Sequence, residues 1–216
     1  MRDIPVFTTT SGVASLTLKE IPYKGTAYIR MQDALCPEML LKECVDFCRM
    51  AGAEYIFATG HSILETYPFY TEIWEMECDK NNLSDTEAVL VKAEESSIEK
   101  WWNIYNDKML DVPLAATMTI SDGQALLKSC DAYFVYRDET LLGIGKAAES
   151  RVEAVVSLVP GSGRDVLLAL CRTLTSDRVT VEVASTNTRA INLYNRMGFV
   201  KTAEISKWYE IGNRCQ

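Results

Sequence analysis

The stretch that decides the fold is Asn187-Thr-Arg-Ala190-Ile-Asn-Leu-Tyr194-Asn-Arg-Met-Gly198-Phe199. It follows residues Val179 to Ala184, whose alternation of apolar and polar side chains is typical of a strand. Asn187 is a residue type favoured at a helix N-cap, and Gly198 is the type favoured just after a helix end. The stretch therefore predicts a strand, a short helix, a Gly-Phe stop and one more strand.

A glycine-containing loop lies upstream of that stretch. A strand from Val152 to Val159 runs into Pro160-Gly161-Ser162-Gly163, and a helix through Leu174 follows. Free backbone N–H groups at a helix start, backed by the helix dipole, bind phosphate oxygens. Gly161 and Gly163 would let the backbone approach an anion closely. A tight turn also explains Gly-x-Gly, so this loop alone is weak evidence for phosphate binding.

The order of predicted elements from residue 88 onward is β, α, α, β, β, β, loop, α, β, α, β. Antiparallel strands come first and a β-α-β unit comes last, which predicts an α+β fold with a mixed, mainly antiparallel sheet flanked by helices. The polar run from Asp79 to Asp85 predicts a boundary between residues 1–85, a smaller α/β subdomain, and residues 86–216. The first 20 residues are expected to be irregular.

The stretch at residues 187–199 resembles the closing signature of the GNAT acyltransferase superfamily, in which Asn, Ala-x-x-x-Tyr and Gly-Phe recur at this spacing. The resemblance covers roughly residues 86–216. It implies a GNAT-like fold and a coenzyme A-dependent N-acyltransferase that moves an acetyl group from acetyl-CoA to an amine of a small molecule. The alternative is an ordinary amphipathic helix whose Ala190, Leu193 and Tyr194 pack inward.

The resemblance also implies roles for individual residues. The pantetheine arm would lie between the strand ending at Val159 and the strand ending at Ala184, with Asn187 contacting it. Tyr194 would face the thioester sulfur and protonate the departing thiolate, a task open to a phenol in a dry site. The implied cofactor-binding set is Leu158, Val159, Gly161, Ser162, Gly163, Arg164, Asp165, Asn187, Ala190 and Tyr194.

One departure from the superfamily pattern opens a second hypothesis. The usual loop begins with Arg or Gln three residues before the first glycine, and here that position is Leu158. The loop also looks shortened, and Arg164 is the residue that could restore part of the missing positive charge. The chain is then either an active enzyme or a non-catalytic GNAT-like protein that binds a ligand or partner through its acidic first half.

An attacking ammonium must lose a proton before it can react. Glu153, Glu149 and Glu139 are the candidate general bases because they lie on or near the central strands, and we choose Glu153 as the catalytic base. Each of them could instead be a solvated strand-end charge. A chain of water molecules could also carry the proton away with no dedicated base.

The charge distribution bears on the partners. The net charge is −8, and residues 1–85 hold 7 basic and 13 acidic side chains. A nucleic-acid ligand is not expected, since such proteins carry a basic face. Cationic amines are the expected acceptors if the strand bearing Glu72, Glu75, Glu77 and Asp79 rims the acceptor cleft. Otherwise these carboxylates keep a strand edge soluble.

Cysteine usage and hydropathy set the remaining expectations. The seven cysteines lack metal-ligand spacing, so we expect reduced, mostly buried thiols and no metal. No apolar run reaches the roughly 18 residues of a membrane span, and no leader-like segment opens the sequence, so the expected compartment is the cytoplasm. The oligomeric state cannot be read, although a homodimer is a common arrangement.

Residues 40–61 echo the second half of the chain. They contain a helix, Gly52, a strand and a polar turn, as residues 166–186 do. Residues 1–85 could therefore be half of a degenerate GNAT module. No Gly-x-Gly precedes their helix, so a second coenzyme is not expected there. His61 follows the strand and is either a cleft residue or an ordinary turn histidine.

Overall fold

The structure is a computed structural model that describes residues 5–213. The chain divides into two compact units. Unit 1 comprises the residues up to Glu72 and those from Ile205 onward, and unit 2 comprises Ile73–Glu204. Neither junction coincides with the boundary expected between residues 85 and 86. The assignment of two domains at that boundary stays a prediction.

Unit 1 is built on a sheet with the strand order β1-β2-β3-β4-β11. The β3–β4 pair is parallel, whereas β1–β2, β2–β3 and β4–β11 are antiparallel. Strands β5 and β11 each run through both units. The elements are β1 (Val6–Thr9), β2 (Gly12–Thr17), α1 (Ile21–Lys24), β3 (Thr26–Ala34), α2 (Pro37–Met50), β4 (Tyr55–Thr59), a 3-10 turn (Ser62–Thr66), the start of β5 (Phe69–Asp79) and the end of β11 (Val200–Asn213).

The core of unit 1 lies between α2 and one face of this sheet. Helix α2 buries Leu40, Leu41, Cys44 and Cys48, whose spacing places them on one helical stripe. The expectation that the first 20 residues are irregular is wrong, because β1 and β2 form a hairpin there. Gly12 takes a φ of +147° at its tip, and a Cβ at that position would lie 2.3 Å from the Asp33 carbonyl oxygen.

Unit 2 has the strand order β5-β10-β9-β8-β7-β6. All of these pairs are antiparallel except β9–β10. Its elements, besides the rest of β5 and the start of β11, are β6 (Val89–Lys92), α3 (Ile98–Met109), α4 (Ile120–Ser129), β7 (Ala132–Arg137), β8 (Thr140–Ala148), β9 (Arg151–Ser157), α5 (Gly163–Thr173), β10 (Arg178–Ala184) and α6 (Thr188–Arg196).

The predicted fold class is confirmed. The sheet is mixed and mainly antiparallel, helices flank it, and the element order from β6 to β11 matches the predicted order. Helices α5 and α6 pack with Val152 in one apolar core of unit 2, and helices α3 and α4 pack with Ala154 and Val156 in another. None of the described helices is both long enough and apolar enough to cross a membrane.

The parallel pair β9–β10 is short. Only Arg151 and Val152 pair with β10, opposite Thr180 and Val181. On its other side β9 carries a bulge, because Val152 pairs with Ala147 whereas Ala154 pairs with Lys146, leaving Glu153 as the extra residue. A bulge increases local twist and ends regular pairing. It also explains why Val152 and Ala154 belong to different cores, since one extra residue reverses the side-chain alternation.

Candidate functional site

A cleft of about 940 Å³ opens where β9 and β10 diverge. This volume lies toward the upper end of the range of small-molecule sites, roughly 300–1,000 Å³. All its lining residues belong to unit 2. They come from β9 (Val152–Ser157), the end of β10 (Glu182, Val183, Ala184), the start of α5, most of α6, α3 with the residues that follow it, and Ile73 of β5.

The start of α5 closes one end of the cleft. Gly161, Gly163 and Arg164 line it there. Gly161 has a φ of +86°, which favours glycine, and a Cβ at this position would meet nothing within 4 Å. The first N–H groups of a helix have no acceptor within the helix. The backbone at Gly161 is therefore uncovered, whereas the Leu193 side chain lies against Gly163.

The loop before α5 is held by its own hydrogen bonds. The backbone N–H groups of Leu158 and Val159 both donate to the Leu142 carbonyl, at 2.8 and 3.4 Å. The buried Ser162 hydroxyl lies within hydrogen-bond distance of the carbonyls of Leu142 and Val159, at 2.9 and 2.8 Å. Leu158, Val159 and Ser162 lie outside the cleft lining. Their predicted part in cofactor binding stays a prediction, and their observed contacts fix the loop.

Arg164 and Asp165 have different surroundings. Arg164 is exposed, lines the cleft and donates to the hydroxyl of Ser84. The Asp165 carboxylate accepts from Arg137 at 2.6 Å and from the hydroxyl of Thr86 at 2.9 Å, and it does not line the cleft. Only the backbone of Asp165, in the first turn of α5, could serve an anion. Its side chain fastens that turn to β7.

Tyr194 projects from α6 and is 7% exposed. Its ring packs against Phe199, with 5.6 Å between the ring centroids, and the residue also lines the cleft. Burial raises the pKa of Tyr194 to about 12, with a smaller contribution from Cys171. At neutral pH its hydroxyl therefore carries its proton and can donate it.

Asn187 and Ala190 also line the cleft, next to Tyr194 on α6. The Asn187 side-chain oxygen accepts from the Ala190 backbone N–H at 3.2 Å, which is the N-cap bond expected from the sequence. Asn187 therefore has a structural role in starting α6. A contact with a pantetheine arm remains a prediction for this residue, as it does for Ala190.

The three candidate bases differ in their position relative to the cleft. Glu153 lines the cleft at the bulge of β9, and its carboxylate accepts from Lys146 at 2.5 Å. Lys146 is also 3.6 Å from Asp131. Glu139 and Glu149 lie in the turns on either side of β8, both with positive φ, and neither lines the cleft. Glu153 is thus the one of the three that lines the cleft, and its part as a base stays a prediction.

Sequence reasoning missed the wall contributed by α3 and the residues after it. Tyr105, Lys108 and Met109 line the cleft, as do residues 112–115. Leu114 has a φ of +62°, a conformation that costs a non-glycine residue roughly 1–2 kcal/mol. Such strain is common at functional sites. No sequence signal pointed here, because Val112-Pro-Leu-Ala115 lacks the glycine or asparagine that usually marks a positive φ.

Four side-chain cations line the cleft, namely Lys108, Arg164, Arg189 and Arg196, and two carboxylates, Glu153 and Glu182. Glu182 is ion-paired with Arg151, as Glu153 is with Lys146. The cleft lining therefore favours an anionic ligand. Sequence reasoning had named only Arg164 of these four cations.

The acidic strand β5 does not supply the carboxylates of the cleft. None of its four acidic residues, Glu72, Glu75, Glu77 and Asp79, is in the lining. Glu75 pairs with Arg151 at 3.2 Å, and Glu77 pairs with Arg178. Within unit 1, Glu72 lies 4.0 Å from Lys207. These ion pairs give the carboxylates a structural explanation, and steering of cationic amines stays an untested prediction.

The described cysteines are all free thiols. Cys44, Cys48, Cys78 and Cys171 are buried, whereas Cys36 and Cys130 are exposed. Cys215 lies outside the described residues. Within residues 5–213, no three His, Cys, Asp or Glu side chains form a group that could hold a metal ion. His61 accepts from the Ile63 N–H through its ring nitrogen at 3.2 Å, so it caps the 3-10 turn of unit 1.

No protein-family model and no curated protein matches this sequence. Solved structures do. A GCN5-related N-acetyltransferase from Sphaerobacter thermophilus is 13% identical, with a TM-score of 0.59 over 93% of this chain and 77% of the other. A conserved protein of unknown function from Staphylococcus epidermidis is 11% identical, with a TM-score of 0.59 over 96% and 93%.

The chain has the GNAT fold. A third similar structure is a tandem GNAT protein from the clavulanic acid biosynthesis pathway, without AcCoA, which is 12% identical with a TM-score of 0.53 over 95% of this chain and 80% of the other. At these identities the likeness shows the fold alone. Within the GNAT fold of this chain, the cleft between β9 and β10 is the candidate site.

Proposed function

We propose that this protein is a coenzyme A-dependent N-acyltransferase that moves an acetyl group from acetyl-CoA to the amine of a small molecule. The observation that carries the proposal is the divergence of β9 and β10 after Val152. It leaves an open cleft with free helix-start amides at one end and the Tyr194 phenol on its wall. The acetyltransferases among the similar GNAT-fold structures support the same reaction class.

The residues present fit acetyl-CoA. Gly161 leaves its backbone uncovered, and Arg164, Arg189 and Arg196 add positive charge to the cleft. Phosphate groups bind well to a helix start combined with arginine side chains. Gly163 lies against the Leu193 side chain, since an added Cβ would approach Leu193 Cδ2 to 3.3 Å. A larger residue there would narrow this end of the cleft.

Beyond Val152 the edge of β9 faces the cleft without β10 as a partner. Peptide groups at such an edge can hydrogen-bond an extended ligand arm, as an added strand would. We propose that this edge binds the amides of the pantetheine arm. Acetyl-CoA supplies an activated thioester, and the protein holds that thioester between the two strands.

Tyr194 holds the proton that the departing sulfur needs. With its pKa raised to about 12, its phenol is a weaker acid than a free thiol of pKa about 8.5. Transfer is therefore unfavourable toward a solvated thiolate, and becomes easier when burial raises the pKa of the sulfur as well. Tyr194 thus donates its proton late in the reaction, when negative charge has developed on the sulfur.

Glu153 is the proposed general base for the attacking amine. It accepts a proton from the incoming ammonium, either directly or through water. Its carboxylate already accepts a hydrogen bond from Lys146. A water relay therefore shares this task with Glu153.

A non-catalytic GNAT-like binding protein is the second candidate function. One observation favours it: Leu158 stands at the usual Arg or Gln position. The acyltransferase uses the cleft of unit 2, whereas the second candidate binds its ligand or partner through the acidic first half, residues 1–85. The two candidates therefore differ in turnover and in where a ligand binds.

Calorimetric titration with acetyl-CoA, followed by a thiol-release assay with a panel of amines, tests the proposal. We expect a single micromolar site and amine-dependent release of coenzyme A. Binding without turnover on any amine would favour the binding protein. Neither heat nor a thermal shift at millimolar acetyl-CoA would overturn the coenzyme A proposal altogether.

A further inference from the structure

The cleft reaches both faces of the unit 2 sheet. Helices α5 and α6 belong to the core on one face, whereas Tyr105 and Met109 of α3 pack in the core on the other. Residues from both sets line the same cleft. The opening between β9 and β10 is therefore a passage through the sheet, and its α3 side is the face opposite the α5 start.

This geometry separates the two substrates of the proposed acyltransferase. The α5 amides that we propose bind the coenzyme lie on one face, which leaves the α3 face for the acceptor amine. That entrance is largely apolar, with Met109, Val112 and Leu114 in its lining. Its cation is Lys108, an exposed side chain with Asp107 at 2.9 Å on the same helix. An exposed ion pair of this kind is weak, so Lys108 can exchange it for a ligand.

Two carboxylates line the cleft, Glu153 at the bulge of β9 and Glu182 on β10. Glu153 is exposed to the cleft and can accept hydrogen bonds from an ammonium while it keeps Lys146. The acceptor path thus offers a cation at Lys108, apolar walls, and an acceptor of protons at Glu153. These three features complement the carboxylate, side chain and ammonium of one small molecule.

We propose that the acceptor is a zwitterionic amino acid with an apolar side chain. The inference rests on the proposed function and specifies the substrate class of that site. Lys108 pairs with the carboxylate of the acceptor, and residues 112–115 cover its side chain. The amino nitrogen gives one proton to Glu153 or water and bonds to the acyl carbon. The carbon–sulfur bond breaks and Tyr194 gives its proton to the sulfur. The nitrogen then loses a second proton, which returns Tyr194 to its neutral form, and the products are an N-acetyl amino acid and coenzyme A.

Two matched acceptors test this inference. L-Phenylalanine and phenethylamine share the aromatic side chain and the amine, and differ in the carboxylate. We expect kcat/KM for phenylalanine to exceed that for phenethylamine by about 10-fold or more, the scale of one charge-assisted contact. Lys108→Met should reduce this ratio to about 1, whereas Lys100→Met, on the same helix but outside the cleft lining, should preserve it.

A binding measurement separates this inference from the proposed reaction. N-Acetyl-phenylalanine should bind the wild-type protein and bind Lys108→Met about 10-fold more weakly, whether or not turnover occurs. A preference for phenethylamine or spermidine over phenylalanine would overturn the inference and leave the acyltransferase intact. Loss of acetyl-CoA binding with retained, Lys108-dependent binding of N-acetyl-phenylalanine would overturn the acyltransferase and leave the amino-acid site intact.

Discussion

Two β-α-β motifs in this chain share one connectivity and differ in how far their strands pair. In unit 1, β3 and β4 flank α2 and pair along five residues, from Thr26 opposite Tyr55 to Arg30 opposite Thr59. In unit 2, β9 and β10 flank α5 and pair along two. The cleft described above lies at the second motif. The divergence of the strands, and not the β-α-β connection, makes the site.

The starts of helices α2 and α5 also differ in the N–H groups that they leave for an anion. Helix α2 begins with Pro37, which has no N–H, whereas α5 begins with Gly163. Each helix has one carboxylate in its first turn, Glu38 in α2 and Asp165 in α5. The N–H groups of Leu35 and Cys36 both donate to the Ser11 carbonyl. The start of α2 therefore has fewer free N–H donors for an anion. The start of α5, at Gly163, lines the cleft.

The largest expected effect concerns the close approach of the chain after β4 to β3 in the unit 1 motif. Gly60, with a φ of +102°, follows β4, and a Cβ there would lie 2.2 Å from the Met31 carbonyl oxygen of β3. We expect Gly60→Ala to lower the free energy of unfolding by about 3 kcal/mol, from overpacking plus backbone strain. Chemical denaturation measures this loss.

Gly161→Ala is the matched control for that loss. Gly161 also has a positive φ but open space around its Cβ position, so only the strain of about 1–2 kcal/mol should appear. Equal losses in the two variants would contradict the view that the unit 1 motif is closed and the unit 2 motif open.

The second prediction tests the hydroxyl of Tyr194, which lines the cleft of unit 2. Tyr194→Phe keeps the ring on Phe199 and removes the hydroxyl, so kcat should fall about 100-fold with little change in acetyl-CoA affinity. Tyr209→Phe is the control, since Tyr209 is equally buried, at 6% exposure, in the unit 1 core. Steady-state kinetics and calorimetry on both variants provide the measurement. A Tyr194→Phe enzyme with wild-type kcat would make this tyrosine a packing residue.

The smallest expected effect distinguishes ligand binding at the start of α5 from the backbone strain of a positive φ. Gly161 and Gly198 have nearly the same φ, +86° and +87°, and neither has an atom within 4 Å of its Cβ position. Only Gly161 lines the cleft. Alanine at either position should cost similar stability, whereas only Gly161→Ala should weaken acetyl-CoA binding, by about 10-fold. If both variants bound equally well in calorimetry, the ligand would not use this backbone.

Sequence patterns predicted unit 2 better than unit 1. The helix of residues 188–196 and the loop before α5 have strong local signals, in caps, glycines and apolar spacing. The β1–β2 hairpin was missed because Thr8-Thr9-Thr10-Ser11-Gly12 looks like a polar loop, although its threonines suit a strand. Pairing with β3, more than ten residues away, makes these strands part of a sheet.

The predicted site residues came from the resemblance of residues 187–199 to the GNAT signature and from the glycine loop. Tyr194, Asn187 and Gly161, which line the cleft, were predicted in this way, and their roles stay predictions. The bulge at Glu153 was not predicted, because the register between strands is a property of the pair and not of either sequence. For the same reason the wall at Leu114 and the charge of Lys108 could not be assigned to the cleft.

The route of the chain has a consequence for synthesis. Unit 2 is continuous from Ile73 to Glu204, whereas unit 1 needs the residues from Ile205 onward, which supply the last part of β11. In unit 1, that part pairs with β4, and Tyr209 belongs to the core. A nascent chain leaves the ribosome amino end first and its domains fold as units. The unit that emerges second is therefore complete before the unit that emerges first.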